Sequence, residues 1–81
     1  MPAKLVEVTT EAFKSCREKP QYKLLVELSE TSPGDEIEIV GEDVILRFET
    51  LLDILEDEGF EYDILERDDL IGTYRIVARK K

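Results

Sequence analysis

The sequence has no histidine and no tryptophan, one cysteine, three prolines and four glycines. Each shortage removes a class of chemistry. Without histidine there is no Ser-His-Asp or Cys-His arrangement, and the common zinc sets built from histidine and paired cysteines are missing as well. The lone Cys16 has no partner for an internal disulfide. The scattered glycines form no Gly-rich phosphate loop, and no carboxylate pair stands out as acid and base, so hydrolase and kinase chemistry are both disfavoured. No apolar run approaches the roughly 20 residues that span a bilayer, and the N-terminus lacks the apolar core of a secretory peptide. The expectation is a cytoplasmic protein with no membrane contact, no metal and no cofactor.

Basic side chains are scarce in one region. Residues 24–74 carry seventeen acids against only Arg47 and Arg67, a local charge of −15, whereas residues 1–23 sum to +2 and residues 75–81 to +4. Affinity for phosphates comes chiefly from Lys and Arg displacing counterions, so this surface repels nucleic acid. A basic protein partner would be attracted, although a solvated acidic face that keeps a small domain dissolved explains the same pattern. The net charge is −9 over 81 residues, 42% of them hydrophobic. A chain of this length buries only about 60–65% of its unfolded surface, which leaves room for a single domain over residues 1–81.

The stretch from Arg17 to Val40 organises the rest. Pro20 suits the first position of a helix, where its missing N–H has no internal acceptor to reach, and Tyr22, Leu25 and Leu28, with Leu24, recur at helical spacing. Ser32-Pro33-Gly34-Asp35 is a turn, after which Glu36-Ile37-Glu38-Ile39-Val40 alternates as a strand. Before it, Lys4-Leu5-Val6-Glu7-Val8 predicts a strand with Leu5 and Val8 inward. Thr10 is a candidate cap for a short helical turn anchored by Phe13. After it, Gly41-Glu42-Asp43 predicts a turn. Asp43 is then the N-cap of a second helix whose apolar face holds Leu46 or Ile45, Phe48, Leu51, Leu52 and Leu55, and which ends at Gly59-Phe60. The acids Glu49, Asp53, Glu56 and Asp57 form its wet side. Residues 61–66 and 73–78 predict two strands of a hairpin joined through 67–72. The fold class is α+β: a two-layer α/β sandwich, βαβαββ, with a mixed four-stranded sheet and both helices on one face. Right-handed crossovers make the first strand pairings parallel and the terminal hairpin antiparallel.

With that order the chain resembles the TusA/SirA-like sulfur-carrier family. Pro20 matches the second proline of its Cys-Pro-X-Pro motif, Pro33-Gly34-Asp35 its turn, Glu42-Asp43 its acidic pair and Gly59-Phe60 its helix end, over about residues 20–80. The family cysteine falls where Arg17 stands here. Cys16 lies one residue earlier with no adjacent proline, and the segment leading to Pro20 is longer. The resemblance implies the strand order 1-2-4-3, a persulfide on Cys16, and Arg17, Lys19 and Pro20 as the groups that favour its thiolate at a helix start. It also implies a protein sulfur donor or acceptor as partner, for a monomer or a homodimer. The alternative is a non-catalytic interaction module in which Cys16 packs as a small hydrophobe and another protein binds the acidic middle or a sheet edge. RNA binding, by analogy with the similar architecture of the C-terminal domain of bacterial translation initiation factor three, is opposed by the charge.

Overall fold

Alternation of apolar and polar residues produces four strands in the computed structural model, which describes residues 4–12 and 19–81. They are β1 (Lys4–Val8), β2 (Glu36–Glu42), β3 (Phe60–Asp68) and β4 (Thr73–Lys80), with α1 (Pro20–Ser29) between the first two and α2 (Phe48–Asp57) between the next two. The sheet order is β1-β2-β4-β3. β1 runs parallel to β2, and β4 is antiparallel to both of its neighbours. β2 and β3 therefore point the same way without touching, because β4 inserts between them. The parallel pairing expected of the early strands holds for β1 with β2 alone.

One face of the sheet carries Val6, Val8, Ile37, Ile39, Tyr74, Ile76 and Ala78, all buried in one cluster with Leu24 and Leu28 of α1 and Leu51 and Leu55 of α2. Removing each large aliphatic side chain from water contributes about 1.5–3 kcal/mol. The opposite face, with Glu38, Val40, Arg75 and Val77 on its central strands, is covered by no second layer among the described residues. The architecture is the expected two-layer α+β sandwich. Among the described residues no helix is long and apolar enough to cross a membrane.

Turn chemistry behaves as the sequence implies. Gly34 adopts φ +90° behind Pro33, and the Asp35 amide donates to the Ser32 carbonyl at 3.0 Å. Gly59, at φ +79°, ends α2 and leads directly into the buried Phe60. Several finer expectations are corrected. In β1 the inward residues are Val6 and Val8, while Leu5 is exposed. Leu5 and Val8 are three apart, and a period of two puts them on opposite faces. In α1, Leu24 and Leu28 face the sheet, with Tyr22 and Leu25 exposed, because an i, i+4 pair suffices to seat ten residues. β2 continues through Gly41 and Glu42 instead of turning there. α2 starts at Phe48; Ile45 and Leu46 belong to a preceding turn in which both amides donate to the Glu42 carbonyl. The hairpin strands reach further than expected, so Arg67 and Asp68 lie in the β3 ladder.

Candidate functional site

Pro20 occupies the first turn of α1, and Lys19 precedes it in extended geometry (φ −72°, ψ 135°) with no side-chain cap. Both roles follow from the proline ring, which tolerates the helix start and forces its predecessor out of the helical region. Lys19 is exposed and Pro20 half-buried. Cys16 and Arg17 lie outside the described residues, as does Phe13. The structure thus places two of the four sequence-derived site residues together at the opening of α1.

The approach to that helix is tied to the sheet by an unexpected pair. The Thr10 amide and hydroxyl both donate to Glu42 Oε1, at 2.7 and 2.8 Å. Thr10 is therefore not the cap; the local turn is closed by Thr9, whose Oγ1 accepts from the Ala12 amide at 3.2 Å. The two Thr10 hydrogen bonds favour the charged form of Glu42 and hold its pKa below the usual carboxylate value.

The neighbouring Asp43 organises a second cluster. Its Oδ1 accepts from the Phe48 amide at 3.1 Å, but the N-cap position of α2 is Arg47 and not, as expected, Asp43, because the residues after Asp43 form a separate turn before the helix begins. The Arg67 guanidinium grips the same carboxylate in a fork, Nη2 to Oδ2 at 2.9 Å and Nη1 to Oδ1 at 3.1 Å. That hydrogen-bonded cation holds the Asp43 pKa below its ordinary value. Arg67 also donates to the Thr73 carbonyl at 3.3 Å, pairs through Nε with Asp69 at 2.9 Å, and lies 4.6 Å above the Phe48 ring centroid. Beneath it, the Tyr74 hydroxyl donates to the Leu46 carbonyl at 2.6 Å, and burial raises its pKa well above the usual phenol value.

These groups line an open groove of about 370 Å³ bounded by Asp43, Arg47, Phe48, Glu49, Arg67 and Asp69. Four of the five N–H groups of its central cation already meet two carboxylates and a carbonyl. The groove therefore acts as a latch between α2 and the β3–β4 hairpin rather than as an anion cradle. Among the described residues no group of histidine, cysteine and carboxylates is placed to hold a metal ion. Sequence reasoning missed Arg67 and Thr10. The available signal for Arg67 is that it is the sole base between positions 48 and 74, set among acids. Thr10 carries no such signal, since its partner is thirty-two residues away.

Comparison with known proteins finds no matching family model, no matching curated protein and no matching solved structure.

Proposed function

We propose that the chain is a small sulfur-carrier-like protein that accepts sulfane sulfur on Cys16 and relays it to a protein acceptor. The observation that carries this reading is the strand order β1-β2-β4-β3 combined with Pro20 at the first turn of α1, the arrangement that the sulfur-carrier resemblance implies. Cys16 precedes that helix by four residues, with Lys14, Arg17 and Lys19 near it in sequence. Cations and the positive end of a helix both favour a thiolate. The Cys16 thiolate attacks the outer sulfur of a donor persulfide. A new S–S bond forms, the donor's S–S bond breaks, and its electron pair leaves with the donor thiolate. No external oxidant or reductant is consumed.

The test is intact mass after incubating the native protein with a low-molecular-weight polysulfide, with Cys16→Ser as control. The expected outcome is a gain of one or more sulfur atoms in the wild type alone, removed by reductant. No gain overturns the reading.

The uncovered sheet face favours a second reading, a protein-interaction module of the same fold with no sulfur transfer. Under it the native thiol resists alkylation until the chain is unfolded.

A further inference from the structure

β3 closes the sheet on one side: it pairs with β4 and, among the described residues, has no strand on its other edge. Backbone donors and acceptors along such an edge are open to an added strand, the mode by which extended peptides join sheets. From Phe60 to Ile64 the register with β4 is regular, and the irregularity comes only between Ile64 and Glu66. The uninterrupted run is as long as β1, whose five residues already make a functioning edge pair.

The side chains select the occupant. On the helix side of this run, Tyr62 is half-buried and Ile64 is 48% exposed, leaving apolar surface beside the edge. On the other side stand Glu61 and Asp63, both exposed, lining a shallow depression of about 70 Å³ with Val77 and Arg79. A second copy of β3 is a poor occupant, because it would set these acids against the same acids. β4 shows the complementary chemistry. Arg79 lies directly across from Glu61 with its guanidinium 3.9 Å away, while making its closer contact, 3.3 Å, with Glu36 of β2. Asp63 faces Val77, so no cation of β4 stands opposite it.

We propose that the Phe60–Ile64 edge of β3 receives an extended segment of a partner protein in which lysine or arginine alternates with apolar residues. The cations lie beside Glu61 and Asp63, and the apolar residues cover Tyr62 and Ile64. This deepens the interaction reading by naming the strand and the partner chemistry, and it does not depend on Cys16.

The test titrates isotope-labelled protein with a capped peptide of about eight residues alternating arginine and valine, a common strand length. The control peptide has the same composition with its arginines and valines in two blocks. At physiological salt the alternating peptide is expected to bind about tenfold more tightly, since strand register and not bulk charge decides the fit. Amide shifts concentrate on residues 60–64, and hydrogen exchange slows along the outer edge of β3. The folded double variant Glu61→Lys, Asp63→Lys is expected to lose the arginine peptide and gain one alternating glutamate and valine. Equal affinity for the two arginine peptides, no binding of either, or no slowing of exchange in β3 overturns the proposal. So does failure of the charge-reversed variant to take the acidic peptide. Sulfur uptake by Cys16 is read separately by mass, so strand addition at β3 and the sulfur-carrier reading fail independently.

Discussion

At position 41 the missing side chain is what admits the Tyr74 ring. A Cβ built there lies 2.5 Å from both Cε1 and the hydroxyl of Tyr74 and 2.5 Å from Val8 Cγ2. The ring has nowhere to retreat, since its hydroxyl is held at 2.6 Å by the Leu46 carbonyl and its face packs against Phe48 at 5.4 Å between centroids. Gly41 does not adopt a positive φ, so the backbone itself tolerates alanine and the cost is purely steric. This explains why a glycine, normally a turn signal, sits inside a strand. Gly41→Ala is expected to destabilise the fold by about 1–3 kcal/mol, as overpacked cores do. At roughly 4–8 °C per kcal/mol for a chain of this size, the loss is plain in a thermal melt. An unchanged midpoint would show that the Tyr74 contact yields freely.

Among the elements, Asp43 is the joint. Its carboxylate accepts from the first amide of α2 and holds Arg67 of β3, while its amide donates at 2.8 Å to the Gly72 carbonyl in the β3–β4 turn. The depressed pKa of Asp43 and that of Glu42 set the direction of acid sensitivity. A carboxylate whose folded pKa lies below its unfolded value contributes stability that is fully present above the unfolded pKa. That stability is lost as pH falls through the folded one. The urea midpoint of the wild type is therefore expected to fall between about pH 5 and pH 2. Asp43→Asn, which keeps the shape but not the charge, is expected to be less stable at neutral pH and to converge on the wild type in acid. A constant gap across that range would place the stabilisation in hydrogen-bond geometry instead of charge. The same distinction between local and distant partners separates what could be read in the sequence from what could not. Pro20, Pro33-Gly34 and Gly59 act on their own backbone, so the start of α1, the ends of both helices, the two-layer class and the element order could be read locally, whereas the start of α2 at Phe48 could not. The inward residues of β1 and α1, the place of Gly41 in β2 and the Arg67 latch depend on neighbours from elsewhere in the chain: Tyr74 for Gly41, and for Arg67 a partner twenty-four residues away. For the site itself, Lys19 and Pro20 were legible as a helix opening because that too is a local backbone effect.

Across the whole molecule, a net charge of −9 is distributed over a small body whose uncovered sheet face carries acids on three of its four strands, Glu7, Glu38, Glu61 and Asp63 among them. Among the described residues the only bases on that face are Arg75 and Arg79 of β4. Each is shared between two strands: Arg75 lies 2.8 Å from Glu38 and 4.0 Å from Glu66, and Arg79 lies 3.3 Å from Glu36 and 3.9 Å from Glu61. Added salt therefore acts in two opposite directions. It weakens these partly exposed ion pairs, which contribute little individually, and it screens the repulsion among the remaining acids. The acids outnumber the bases by twenty to eleven, so relief of repulsion prevails. The melting temperature is expected to rise with sodium chloride and to level off by about 0.3 M, where the screening length falls below the spacing of most surface charges. A rise that continues steadily into molar salt would indicate a general solvent effect on apolar burial instead. A fall with salt would show that the arginine ladder outweighs the repulsion, and that the acidic face is already balanced within the sheet.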